Sequence, residues 1–218
     1  MVVIKHTEQR VGIFIDTQNL YHSAKNLYHS RVNFGAVLKE ALGNRALIRA
    51  IAYVITTEAG DEKNFFEALG KLGIEAKTKD LQIFMGGAKK GDWDVGLAVD
   101  AIKMAPKLDT VILATGDGDF VPLVEYLQMN EGCQVEVISF GKSSSSKLRE
   151  AADDFIDMCE NPKKYLMNFN APSSSTQRRP RRPFQKGTGL SIETKTALSQ
   201  ADITEDAPEE SGSVAEYE

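Results

Sequence analysis

Two short, nearly unbroken apolar runs constrain this chain more than any other feature. They are Val11-Gly12-Ile13-Phe14-Ile15 and Thr110-Val111-Ile112-Leu113-Ala114, each followed closely by an aspartate, Asp16 and Asp117. A strand with one wet face alternates apolar and polar residues, whereas these runs do not alternate, so both faces must be covered. That pattern belongs to parallel sheets flanked by helices. In such sheets ligands bind beyond the carboxyl ends of the strands, which is where both aspartates fall.

The segments between the runs carry helical and strand patterns in turn. A helix is expected through Leu20, Ala24 and Leu27, and a second with Asn33 as its cap, Val37, Leu38 and Ala41 inward and Gly43 as its stop. Residues 46 to 55 read as a strand. Asp61 is expected to open a helix that carries Phe65, Phe66, Leu69 and Leu72 and ends at Gly73, with Ile74 to Lys77 beginning the next strand. Residues 86 to 91 read as a loop, and Asp92 as the cap of a helix closed by Pro106. Beyond the second apolar run come a helix from Val121 to Met129, a strand from Gln134 to Ser139 and a last helix over about residues 145 to 158. The repeated alternation predicts an α/β fold, a Rossmann-like three-layer sandwich with a mostly parallel central sheet.

Residues 1–168 form the expected domain. In residues 169–218 a serine run leads into Arg178-Arg179-Pro180-Arg181-Arg182-Pro183 and then an acidic stretch, which predicts a disordered tail with a local basic cluster. The cluster can add affinity for phosphate or be a solvated linker. No apolar run is long enough to span a bilayer, so a soluble, cytoplasmic protein without a membrane partner is expected. Cys133 and Cys159 have no zinc-site spacing and read as reduced, buried thiols. The net charge of −5 argues against binding nucleic acid through a broad basic surface. Acids concentrated at one place can still act on a polyanion by holding cations, so where the carboxylates fall matters more than their number.

If the two apolar strands are neighbours, Asp16 and Asp117 meet and suit a hard divalent cation, Mg²⁺ or Mn²⁺, which takes oxygen ligands and keeps several waters. Asp119 is a ligand, a water-positioning group or a helix cap. Asp94, in the first turn of its helix, either faces the crevice or only complements the helix dipole. Asp100, about 120° around that helix from Asp94, cannot share an ion with it and is a candidate for the surrounding shell. Lys90 contacts a phosphate or is simply solvated. Asn19 binds a ligating water or a sugar hydroxyl, or caps its helix. One hydroxyl among Ser143 to Ser146 must cap the last helix, and the run can also line a phosphate path. Trp93 stacks a base or packs; His22 and His29 are not read as a general base.

Asp16-Thr17-Gln18-Asn19, Lys90-Gly91-Asp92-Trp93-Asp94-Val95 with Asp100, and Thr115-Gly116-Asp117-Gly118-Asp119-Phe120 together resemble the LabA-like branch of the NYN family, which has a PIN-like nuclease fold. Val137 to Gly141 with Ser146, Leu148, Ala152, Asp153 and Phe155 resembles its last strand and helix. The resemblance implies a five- or six-stranded parallel sheet, and acids at Asp16, Asp94, Asp117 and Asp119 that hold Mg²⁺ or Mn²⁺. It also implies hydrolysis of RNA phosphodiesters with water as nucleophile, and Thr115 keeps the hydroxyl where serine is common. The expected partner is single-stranded RNA, and a homo-oligomer is compatible with the chain. Two other readings use the same pocket: a non-catalytic RNA- or nucleotide-binding regulator, and a phosphotransferase with Asp16 as nucleophile. The last lacks its usual second acid, because residue 18 is glutamine.

Overall fold

The computed structural model describes residue 3, residues 5–56, 63–80, 82–83, 89–90 and 92–167, and residue 169, with only the backbone at 82–83 and 89–90. The chain divides into one unit over residues 1–172 and another over 173–218, and all described residues belong to the first. The expected tail, its basic cluster and Asp61 as a helix start lie outside the described residues.

The first apolar run is strand β1 (Arg10–Asp16), followed by helix α1 (Thr17–Tyr28), the short β2 (Arg31–Val32), α2 (Phe34–Leu42) and β3 (Ala46–Thr56). Next come α3 (Lys63–Lys71), β4 (Glu75–Asp80), and a two-residue antiparallel pair, β5 (Gln82–Ile83) with β6 (Lys89–Lys90). Helix α4 (Asp94–Met104) leads through a 3₁₀ turn to β7 (Thr110–Ala114), and a second 3₁₀ turn (Gly118–Phe120) leads to α5 (Val121–Met129). The chain continues with β8 (Gln134–Ser139), α6 (Ser146–Ala151), β9 (Asp154–Asp157), α7 (Pro162–Tyr165) and β10 (Leu166–Met167), which pairs with β2.

Six strands form one sheet in the order β4-β3-β1-β7-β8-β9, and every pairing in it is parallel. From β1 the chain builds outward through β3 to β4, then returns to the other side of β1 and builds through β7 and β8 to β9. The order therefore reverses between β1 and β7, the position where helices diverge and leave a crevice.

Side-chain alternation sends each central strand into two cores. Val11, Ile13 and Ile15 of β1 pack with Leu20 and Ala24 of α1, Val37 and Ala41 of α2 and Leu69 of α3. Phe14, on the opposite face, packs with Leu97 and Ala101 of α4, Val124 and Leu127 of α5 and Leu148 of α6. Residues on both faces of β1 and β7 are fully buried, as unbroken apolar runs require.

The end of the domain departs from the sequence pattern. The expected helix over residues 145 to 158 stops at Ala151, and Asp154–Asp157 becomes the sixth strand. Ala152 turns extended, and the Asp153 carboxylate accepts the Val135 N–H at 2.7 Å, which anchors the new strand beside β8. The expected loop at residues 86 to 91 also contains structure, since Lys89 and Lys90 form β6.

At the amino edge of the sheet a buried ion pair joins the two halves. Arg45, just before β3, donates through Nη2 to Glu136 Oε2 of β8 at 3.0 Å, and Lys5 Nζ lies 3.0 Å from the same oxygen. The Glu136 side chain is fully buried, so this charge is held by its partners and not by water.

Candidate functional site

Asp16 is the last residue of β1 and also the cap of α1. Its Oδ1 accepts the Asn19 N–H at 3.0 Å, and its Oδ2 accepts the Thr115 hydroxyl at 3.1 Å. Because Asp16 performs the capping, Asn19 does not cap, contrary to one of its two readings. Its side-chain oxygen instead accepts the Gly116 N–H at 2.9 Å, tying the β1–α1 turn to the loop after β7.

That loop is held by its own hydrogen bonds. The buried Thr115 hydroxyl accepts the Asp117 N–H at 3.2 Å, and Asp117 Oδ1 accepts the Asp119 N–H at 3.0 Å. A Cβ at Gly116 would come within 3.1 Å of the Ser144 backbone Cα, so any larger residue would push the serine loop back from its close approach here. The Ser145 N–H donates to Gly116 O at 2.9 Å, which completes the contact. Ser145 is the residue before α6, yet neither it nor another serine caps that helix by a side-chain bond, against expectation.

Asp94 opens α4 from the opposite side of the crevice. The expected cap, Asp92, does not cap; Trp93 occupies the cap position without a side-chain bond. Asp92 is thereby released into the site. A cavity of about 200 Å³ results, lined by Asp16, Gln18, Asn19, Tyr53, Asp92, Trp93, Asp94 and Asp117.

The acids in this cavity oppose one another. Partial burial, and then the charges of Asp16, Asp117, Asp92 and Asp119, push the Asp94 carboxyl up to about 6. Burial also raises Asp16, with Asp117 adding to the effect, although the Asn19 N–H and Thr115 hydroxyl stabilise its ionised form. Among the described residues no three His, Cys, Asp or Glu side chains converge on one point to hold a metal ion. The carboxylates instead surround a space with oxygen donors only, and their uncompensated repulsion is what a hard cation, bridged partly through its own waters, would relieve. By donor chemistry the residues fit such an ion.

The sequence-derived candidates thus separate. Asp16, Asn19, Asp94 and Asp117 line one cavity, and Thr115 supports it from beneath. Asp119 is exposed on the 3₁₀ turn, outside the lining but near enough to act on Asp94. Asp100 is not part of the lining and meets it through Tyr53: its Oδ2 accepts from Tyr53 Oη at 2.8 Å and Lys77 Nζ at 2.6 Å. Burial works against its charge, but these two donors prevail and hold its carboxyl below the usual range. Ser146 is exposed at the start of α6, and the side chain of Lys90 lies outside the described residues. Gln18, Tyr53 and Asp92 were not foreseen. Tyr53 gave a signal, a polar ring within the otherwise aliphatic, buried run from Ala50 to Ile55; Asp92 was masked by its good fit as a cap.

Comparison with known proteins agrees with this fold. The NYN domain matches residues 10–159 of the chain. Low amplitude and bright protein LabA of Synechococcus elongatus is 27% identical over 160 residues, covering 68% of this chain and 83% of its own. The crystal structure of a protein of unknown function from Vibrio parahaemolyticus is similar with a TM-score of 0.68 and 31% identity, over 76% of this chain and 100% of that one.

Proposed function

The chain belongs to the NYN domain family, in its LabA-like branch, and on that premise we propose that it is a metal-dependent endoribonuclease acting on single-stranded RNA. Membership itself carries the coarser statement, a PIN-like nuclease or RNA-binding module. The finer reading is carried by the convergence of Asp16, Asp94 and Asp117 on one cavity at the switch point of the sheet.

Asp16, Asp94 and Asp117 would hold Mg²⁺ or Mn²⁺, with Asp119 as a further ligand or as the group that orients water. When bound, such an ion activates water and offsets the charge that develops on the phosphate. The chain's own contribution is orientation. Thr115 and the Asn19 N–H fix the Asp16 carboxylate from two sides, and the Asn19 side chain keeps the two loops at a constant separation. Asp117 is fixed through its own N–H and through Asp119, so its carboxylate meets the cavity from a braced turn.

The assay is cleavage of single-stranded RNA by the wild-type chain and by Asp117→Asn, each with Mg²⁺, with Mn²⁺ and with EDTA. The expected outcome is cation-dependent cleavage that falls at least about a hundredfold in the folded variant, the scale seen when a group stabilising transition-state charge is removed. Undiminished cleavage by the variant in EDTA rejects the proposal. A second reading is RNA binding without turnover. It is favoured by the absence of three carboxylates meeting at one point among the described residues, and binding without cleavage in either cation would select it. Among the described residues no helix is long and apolar enough to cross a membrane, and the proposal places the protein with RNA in the cytoplasm.

A further inference from the structure

The cavity has two unlike kinds of lining, the carboxylates of Asp16, Asp92, Asp94 and Asp117 and the rings of Tyr53 and Trp93. The indole is held in a fixed attitude. Its Nε1–H donates to Val54 O at 3.0 Å, and its ring packs with the Tyr53 ring at 5.4 Å between centroids. A Cβ at Gly96 would lie 2.5 Å from the indole Cε3, so the glycine in the first turn of α4 is what admits the ring.

Over this ring sits the ammonium group of Lys79, 5.9 Å from the centroid, donating to Asp92 O at 3.1 Å. The neighbouring cations of the edge strand region are committed, Lys77 to Asp100 and Arg49 to Glu75. Among the described residues Lys79 has no carboxylate partner. A rigid aromatic beside an exposed cation that has no carboxylate partner among the described residues, at the mouth of a carboxylate site, matches the two chemical faces of a nucleotide, a π surface and a phosphate.

Resting on the RNA-directed reading above, we propose that Trp93 and Lys79 form a subsite for one nucleotide of single-stranded RNA next to the scissile phosphate, the base stacking on Trp93 and Lys79 contacting a phosphate. In the free protein Lys79 covers the indole through a cation–π contact. An arriving base displaces it, and the ammonium moves to the phosphate that arrives with the base. Among the described residues no lysine or arginine lines the cavity, so the flanking phosphate finds its positive partner at the rim.

Trp93 is the only tryptophan in the sequence, so its emission reports this subsite alone. The full-length protein is titrated with a short single-stranded RNA, with the same RNA carrying abasic positions, and with inorganic polyphosphate, in EDTA and again in Mg²⁺. Binding is followed separately by the anisotropy of end-labelled RNA. Quenching of the emission by intact RNA, but not by the abasic RNA or polyphosphate, is the expected result.

In anisotropy Trp93→Phe should bind RNA nearly as wild type, while Trp93→Leu should bind roughly tenfold more weakly, the scale of one lost base stack. Lys79→Gln should lower the steepness of the salt dependence by about one counterion. RNA that binds or is cleaved without any change in Trp93 emission overturns the subsite and leaves the nuclease reading standing. Quenching without cleavage supports the subsite and rejects turnover instead. No binding in either cation condition overturns both.

Discussion

At the scale of single residues, two side chains separate the requirements of the site from those of the fold. Thr115 is buried and its one hydroxyl serves two neighbours, donating to Asp16 and accepting from the Asp117 N–H. Thr115→Val keeps the shape and removes both bonds, so it should cost about 1–2 kcal/mol of stability in urea denaturation, and Thr115→Ser should restore most of it. Equal stability of the two variants would show that the hydroxyl is idle. Asp94 behaves in the opposite sense. Its carboxyl sits at about 6 in the folded chain against an ordinary 3.8, so folding disfavours its charge. The metal-free fold should therefore lose stability as pH rises from the ordinary value through about 6. Asp94→Asn should be the more stable protein at pH 7 by ~1 kcal/mol, a figure reduced for the solvent that still reaches the group. The gain should vanish below pH 4, and a destabilised variant at pH 7 would contradict the repulsion described here. Asp16 and Asp117 were legible from sequence because a strand end places them. Asp92 was not, since capping preference is local while its placement depends on which strand lies beside which; for Asn19 the sequence left a cap and a site role open, and the structure gives it the second.

At the scale of elements, β1 and β7 were readable because full burial leaves a nearly unbroken apolar run, β3 and β8 because apolar and β-branched residues still dominate them despite Arg49 and Glu136, and α5 because its apolar spacing agrees with a helix. Strand β9 was not. Its four residues, Asp154 to Asp157, continue an apparent helical spacing, and only pairing with β8 at the sheet edge draws them straight. The placement of α4 was likewise hidden, because it depends on a network that spans three elements. Asp100 of α4 is bonded by Tyr53 of β3 and Lys77 of β4, which fixes the helix that carries Asp94 into the cavity. The buried pair Arg45–Glu136 fixes the other end of the sheet. Arg45→Met alone leaves Glu136 with Lys5 as its remaining cation, and should cost about 3 kcal/mol; replacing both partners, as Arg45→Met with Glu136→Leu, should recover most of that loss. Thermal unfolding of the two variants decides it. Similar losses in both would mean that the pair stabilises the fold in its own right and is not merely mutual compensation.

At the scale of the whole molecule, the two edges of the sheet are built on opposed principles. At the amino edge every buried charge near Glu136 is matched, whereas at the carboxyl edge acids line one cavity, and burial together with the neighbouring charges raises the proton affinity of Asp94 and Asp16. Paired charges at one edge hold the strands in register while unpaired ones at the other remain available to a cation. It follows that a bound cation should stabilise the entire unit and not only its loops. At a free concentration about a hundred times its dissociation constant, linkage gives ~2.7 kcal/mol. For a unit of this size that is a rise of roughly 5–10 °C in the unfolding midpoint. Calorimetry with Mn²⁺ should show that rise for the wild-type chain and little or none for Asp94→Asn. The variant should start from a higher midpoint without metal at pH 7 and be overtaken when Mn²⁺ is added. That crossing separates the metal site from a merely acidic crevice, because repulsion alone predicts the first difference and only cation binding predicts the second. Parallel rises in both proteins would place the ion elsewhere and leave Asp94 as a source of repulsion with no part in holding metal.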